Sequence, residues 1–213
     1  MTKMTTYQFV GFQQAVYRLI NDYKTVNDDR VLAVTRADVF DVLLGLLPAE
    51  DERVKTFLQA LLQRDLTRQR AEKLFDTLTP FVAPFPTFSE KQLQKFLPKV
   101  KKLKQPAPLE NPYTTSYLAW DDTGIQRTYL VVPTDKGYLG LMGDVEPQVV
   151  HGLCAICHEF GNVSLFTSTV KGNVQGNYTK KGNYICRNHA ACNAQLATLD
   201  HLEKFVAHVR PQK

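Results

Sequence analysis

Four cysteines, the only ones in the chain, are the residues whose types and spacing could do chemistry: Cys154, Cys157, Cys186 and Cys192. Cys154-Ala-Ile-Cys157 is a Cys-x-x-Cys pair, which folds into a tight knuckle and aims two thiolates at one point. After 28 residues comes the second pair, Cys186 and Cys192, separated by five residues. Two such pairs make a tetrahedral zinc cage. The second spacing is wider than the commonest pattern, so two other chemistries stay open: two disulfides, or a redox-active Cys-x-x-Cys. His158 directly follows Cys157, and His189 lies between Cys186 and Cys192, so either could replace a cysteine in a three-cysteine site. Four thiolates leave no position for a water, so the expected zinc is one structural ion and not a catalytic one.

The elements that must position these thiols change character along the chain. In the first half Phe9, Phe12, Val16, Leu19, Ile20 and Tyr23 recur at three- and four-residue spacing, which gives one apolar helical stripe. Thr35 is a candidate cap for a second helix with Val39, Phe40, Leu43, Leu44 and Leu47 inward. Pro48 ends that helix and opens a third, carrying Val54, Phe57, Leu58, Leu61 and Leu62. Thr67 caps a fourth with Ala71, Leu74, Phe75 and Leu78, and Ser89 with Gln92 forms a capping box for a fifth. Short helices joined by short loops predict a bundle. It contains no His and no Cys, and nothing in it resembles a catalytic set.

Residues 89–105 carry six Lys against one Glu, and within residues 98–113 Lys99, Lys101, Lys102 and Lys104 are followed by Pro106, Pro108 and Pro112. Proline blocks helix and sheet ladder alike, so this stretch reads as a stiff, extended connector and sets the expected boundary between a bundle over residues 1–105 and a second domain over 106–213. Beyond it the period becomes two. Ser116–Trp120, Ile125–Val132 and Tyr138–Met142 predict an antiparallel meander turned at Asp122-Thr123-Gly124 and Asp135-Lys136-Gly137, with Trp120 in the core. In the zinc segment, residues 149–213, Val163–Ser168 and Asn177–Ile185 read as strands. A helix beginning at Cys192 and carrying Leu196, Leu199, Leu202, Phe205, Val206 and Val209 closes the chain. Knuckle, hairpin and a helix bearing ligands near its N-terminus is the treble-clef arrangement. The expected fold class is therefore α+β: a helical bundle followed by a mixed α/β domain with a four-cysteine treble-clef zinc finger.

The net charge of +5 is unevenly placed: residues 1–88 are balanced, whereas residues 151–213 hold seven basic and three acidic groups. A basic zinc segment points to an acidic partner surface, protein or nucleic acid. No apolar run is long enough to span a membrane, and the N-terminus lacks the apolar core of a signal peptide. The expectation is a cytoplasmic protein with reduced thiols, no membrane partner and no DNA.

Cys154-Ala-Ile-Cys157, Asn162-Val163-Ser164-Leu165-Phe166, Lys180-Lys181-Gly182-Asn183-Tyr184-Ile185-Cys186-Arg187 and Cys192-Asn193-Ala194-Gln195-Leu196 closely resemble the FusB-type proteins. In the front half Tyr23-Lys24-Thr25-Val26-Asn27-Asp28 and Pro84-Phe85 carry the same resemblance. These are elongation factor G-binding proteins of Gram-positive bacteria associated with fusidic acid resistance. The resemblance implies a non-enzymatic protein that binds the C-terminal domains of elongation factor G and releases the factor from drug-stalled ribosomes, so that the ribosome is only an indirect partner. It carries the interaction surface onto Leu153, Lys181, Tyr184 and Phe205. Leu153 departs from the pattern, because an aromatic is implied there. Three of these positions have a plainer reading: Phe205 as core, Lys181 as solvated surface, Tyr184 packed on the knuckle. Two rival functions remain. One is a zinc module that binds RNA or the ribosome directly, with Lys171, Lys180, Lys181 and Arg187 on phosphates and Tyr178 and Tyr184 stacking on bases. The other is a zinc hydrolase, against which four thiolates argue.

Overall fold

The apolar stripe of the first twenty residues becomes a helix because Thr5 and Gln8 close a capping box ahead of it. The Gln8 N–H donates to Thr5 Oγ1 (3.4 Å) and the Thr5 N–H to Gln8 Oε1 (2.9 Å). In the computed structural model, which describes residues 3–171 and 178–210, this helix is α1, Thr6–Thr25. It is followed by α2 (Asp29–Leu46), α3 (Glu52–Leu61) and α4 (Arg68–Leu78). Phe9, Phe12, Val16, Leu19 and Ile20 are all buried. Phe12, Phe57 and Phe75 meet with ring centroids 5.3–5.8 Å apart, and Phe9 packs edge-on to Phe75 at 6.0 Å. Main-chain bonds from Met4 N–H to the Phe81 carbonyl (2.9 Å) and from Ala83 N–H to the Met4 carbonyl (2.8 Å) close this first unit, residues 1–84, at its ends.

Helix α2 starts seven residues earlier than a cap at Thr35 would set. Asp28 is its cap, accepting from the Arg30 N–H at 2.8 Å, and the Thr35 hydroxyl sits inside the helix on the Val31 carbonyl. The extra turns carry Val31 and Val34 outward, 49% and 62% exposed, so the apolar pattern gives no sign of them. On the same helix Val39 and Leu43 are buried, as is Leu47 at its C-cap, while Leu44 is exposed.

The second unit begins at Phe85, not at residue 106 where composition puts the boundary. The intervening stretch packs on the second unit's own sheet and is not a free spacer. Helix α5 (Glu90–Phe96), capped by the Ser89–Gln92 box, sends Leu93 and, just beyond, Leu97 and Val100 into a core with Leu118, Trp120, Tyr129 and Val131. The Phe85 N–H donates to the Pro112 carbonyl (2.8 Å), and the Trp120 indole N–H to the Lys104 carbonyl (2.7 Å). Lysine side chains can remain in water while the chain between them is anchored, which charge counting does not reveal.

The sheet is antiparallel throughout, with strands β1 (Leu118–Asp122), β2 (Arg127–Thr134), β3 (Gly137–Val145), β4 (Val150–Leu153), β5 (Phe160–Lys171) and β6 (Tyr178–Cys186). Strand β2 is buried on both faces. Tyr129 and Val131 face the core under α5, whereas Leu130 and Val132 face the cysteine side, so its apolar run is continuous. Both meander turns form. Gly137 has φ +108°, whereas at the first turn the positive φ falls on Gln126 and the Gly124 N–H bonds to Asp122 Oδ1 (3.2 Å). Val163 on β5 pairs with Val150 on one edge and Cys186 on the other, which brings both cysteine pairs to one strand. The closing helix is two: α6 (His189–Gln195) and α7 (Asp200–Val209). On α7, Leu202, Phe205 and Val209 are buried against the sheet, and the Ser168 hydroxyl donates to the Val209 carbonyl. The stretch between Lys171 and Tyr178, with the expected Asn177 strand start, lies outside the described residues.

Candidate metal centre

Strand β4 delivers Cys154 into a knuckle. The Cys154 carbonyl accepts from the His158 N–H (3.0 Å) and the Cys154 N–H donates to the Glu159 carbonyl (3.0 Å). His158 takes φ +60° to let the chain reverse into β5. Cys186 ends β6. The wide gap to Cys192 is a turn followed by a helix start. Asn188 caps α6 by accepting from the Ala191 N–H (2.9 Å), and Cys192 is the fourth residue of that helix, one turn in, where it faces the knuckle.

The four sulfurs lie within 4.8 Å of one another, with Cys154–Cys192 at 3.8 Å and Cys157–Cys186 at 3.7 Å, and all four residues are buried. A disulfide needs about 2.05 Å, so the geometry is that of four separate thiols. Four sulfurs each about 2.3 Å from one centre stand about 3.8 Å apart in a regular tetrahedron, so the donor set fits a tetrahedral metal. Four thiols this close perturb one another strongly. Hydrogen bonds from Cys157, Cys186 and Cys192 hold the Cys154 thiol far below its ordinary range, and those with Cys154, Cys157 and Cys186 push Cys192 far above it. A divalent cation replaces those protons and satisfies all four sulfurs at once. Two backbone groups, the Ile156 and Cys186 N–H, point at Cys154 Sγ at 3.3 and 3.4 Å.

Neither histidine belongs to this set. His158 stacks on His201 with centroids 3.9 Å apart, and His189 Nε2 lies 3.3 Å from Asp121 Oδ1. Two residues that sequence reasoning did not single out position the centre. Asn193, next to Cys192, is buried and uses both ends of its amide. Its Oδ1 accepts from the Ser116 and Tyr117 N–H groups (2.7 and 3.1 Å), and its Nδ2 donates to the Tyr117 and His189 carbonyls (both 3.0 Å). Asp121 on β1 collects the Thr128 hydroxyl (2.6 Å), His189 and, at 3.6 Å, Arg187. Burial pushes its carboxyl up, but the hydrogen bonds from His189 and Thr128 and the charge of Arg187 outweigh this and leave it below the ordinary range. Together these two groups fasten the segment between Cys186 and Cys192 to the meander.

The residues carried over as partner contacts have different environments. Leu153, the last residue of β4, is 39% exposed. Tyr184 is 42% exposed, and its carbonyl accepts the knuckle N–H of Ala155 (2.8 Å). Leu153 and Tyr184 thus both border the knuckle. Lys181 is half-buried on β6 opposite Ser168. Phe205 is core, 3% exposed, with its ring 5.7 Å from Phe166. The side chains of Lys171 and Tyr178, considered above for RNA, lie outside the described part. One exposed aromatic was not anticipated. Phe160 pairs directly with Leu153 across β4 and β5, stacks on His151 (6.3 Å, 17°) and is 69% exposed. The signal was its position two residues after the knuckle, hidden because the strand was expected to begin at Val163.

A helical bundle followed by an antiparallel sheet closed by a four-cysteine treble clef defines a two-part protein whose second part is a zinc finger of the treble-clef class. Residues 3–86 match the family model described as elongation factor G-binding protein, N-terminal, and residues 96–209 match that of the FBP C-terminal treble-clef zinc-finger. The chain belongs to this FusB-type family of elongation factor G-binding proteins. Among solved structures it is similar to the fusidic acid resistance protein FusC, with 32% identity, a TM-score of 0.89 and 99% of each chain covered. A comparison with curated protein sequences gave no match.

Proposed function

We propose that this protein binds elongation factor G through the treble-clef side of its second unit and lifts the factor from ribosomes on which fusidic acid has stalled it. The observation that carries this reading is the exposed border of the knuckle, Leu153 with Phe160 on one side and Tyr184 on the other, in a chain matched to the family over both units. Exposed aromatic and aliphatic side chains on a rigid frame are typical binding anchors, because little order is lost when they engage. Lys181 adds charge beside them, while Phe205 acts from beneath by holding α7 on the sheet. One zinc ion, held by Cys154, Cys157, Cys186 and Cys192, is structural: four thiolates complete its coordination. The protein is not an enzyme in this reading. It acts in the cytoplasm by binding the C-terminal domains of the factor, and touches the ribosome only through it. Release then follows from differential affinity: a conformation of the factor that binds this protein better than it binds the stalled ribosome is drawn off.

The test has two arms. Calorimetry of purified protein with elongation factor G should give a one-to-one complex. Sedimentation of drug-stalled ribosomes should leave the factor in the supernatant once the protein is added. Absence of a complex at micromolar concentrations overturns the reading. Steeply salt-dependent binding to ribosomal RNA without the factor would put the RNA-binding alternative in its place.

A further inference from the structure

Strand β3 is fully paired on one edge and almost bare on the other. Facing β2, it is paired from Gly137 to Asp144. Facing β5, it is paired only at Asp144 with Thr167 and Val145 with Phe166. Both strands run on past that point, β3 back to Gly137 and β5 forward to Lys171, so the sheet splits between them. The bonds at the root of the split fix the direction of the main chain. The Val145 N–H donates to the Gln126 carbonyl on the β2 side (2.9 Å), and the Glu146 N–H to the Leu165 carbonyl on β5 (3.0 Å). Main-chain groups of an antiparallel strand alternate between its two neighbours. Those of Met142 and Gly140 therefore point into the split, as do those of Thr169 on β5. None of the three has a main-chain partner there among the described residues.

The split is a cleft of about 460 Å³, within the range of binding sites. Consecutive residues of both strands line it, Leu139 to Asp144 and Thr167 to Thr169. Successive side chains of a strand leave on opposite faces, so a run of neighbours along one cleft makes the strand edge itself the wall. Phe96 and Leu97 from the end of α5, and Val209 from the end of α7, close it from the two faces of the sheet. A free strand edge is a template for another strand, and sheets guard theirs with lysine, proline or a bulge. Gly137 to Asp144 contains no lysine and no proline, and its pairing with β2 runs in step without a bulge. The cleft is also basic. Lys99, Arg127 and Arg210 line it against one carboxylate, Asp144, which Arg127 holds at 3.3 Å. Lys99 and Arg210 have no ion-pair partner among the described residues.

We propose that the split between β3 and β5 takes an extended acidic peptide segment of a partner protein, which adds as a strand by pairing with Met142 and Gly140. Its main chain satisfies the open edge, its apolar side chains meet the walls, and its carboxylates meet Lys99 and Arg210. A second copy of this chain would bring the same cations against themselves. A small amphipathic anion would leave the strand edges unpaired. The site is separate from the knuckle border, which β4, the start of β5 and the end of β6 build.

The probe is a capped octapeptide of alternating valine and glutamate, with a valine–lysine octapeptide as control, followed by amide NMR of the full chain. In the free protein the Met142 N–H should exchange with solvent about 100-fold faster than the Leu141 N–H, which faces β2. Equal protection overturns the proposal, because the edge is then already covered. The valine–glutamate peptide should shift and protect Gly140, Met142 and Thr169, and the valine–lysine peptide should bind about tenfold more weakly or worse. Met142→Pro removes the one N–H that faces the split, a place where a strand tolerates proline, and should abolish binding, whereas Met142→Ala keeps that N–H and should retain it. Lys99→Glu with Arg210→Glu changes exposed side chains only and should weaken the valine–glutamate peptide about tenfold. No shifts at these amides at millimolar peptide, equal binding of both peptides, or the same shifts from laurate or from self-association of the protein alone overturns the proposal.

Discussion

Cys192, Asn193 and Asp121 carry most of what can be tested at single positions. Cys192→Ser leaves three thiols for a metal that fits four, so zinc content should fall below one ion per chain and the second unit should lose its fixed tertiary structure, read by elemental analysis and by NMR. A protein that stays folded with full metal would instead mean that another ligand completes the site. Asn193→Ala orphans buried backbone groups of Ser116, Tyr117 and His189, each worth roughly 1–3 kcal/mol, so several kcal/mol of stability should disappear in a denaturant titration. The Asp121 carboxyl is depressed in the folded chain. Its contribution is therefore complete above its unfolded value of about 3.9 and is lost as pH falls through the lower folded value, and a carbon NMR titration should show that lowered midpoint. The cysteines were legible because their type and spacing put a metal site foremost, and the sulfur positions then set aside the disulfide reading. Asn193 and Asp121 were not, because the groups they bind lie 76 and 68 residues away in sequence. A polar residue's purpose is invisible until the fold has supplied its partners.

Among the elements, helices with a one-sided apolar stripe were readable, and so were strands flanked by turn residues. Two readings failed for physical reasons. The front of α2 shows outward-facing valines where a stripe would face inward, and its cap is Asp28, a residue that punctuates a loop as readily as it starts a helix. The lysine- and proline-rich stretch reads as a spacer, yet its Val100 is buried and its Lys104 carbonyl takes the Trp120 indole N–H. Just ahead of it, α5 lies so close to β3 that a Cβ on Gly140 would come within 2.2 Å of the Phe96 carbonyl oxygen. Gly140→Ala should therefore push the helix off the strand, at about 1–3 kcal/mol by thermal melting, although Gly140 has no special φ. An unchanged melting temperature would show that α5 yields freely. The break between α6 and α7 was missed because the apolar spacing runs on across it through Leu196 and Leu199.

The first unit encloses an aromatic core of its own, while the second gathers its loops around four cysteines. Removing metal with a strong chelator should broaden the NMR signals of β4, β5, β6, α6 and α7 and leave those of α1 to α4 in place. No helix among the described residues is long and apolar enough to cross a membrane. In the proposed reading the metal's contribution to function is geometric: it would fix the knuckle that Leu153, Phe160 and Tyr184 border. Calorimetry of elongation factor G against wild type, Tyr184→Ala and Phe160→Ala, with zinc content matched, tests this most directly. The account predicts one-to-one binding by wild type and a loss of about tenfold or more in each variant, the scale of an anchor residue. Wild-type affinity in both variants would contradict it.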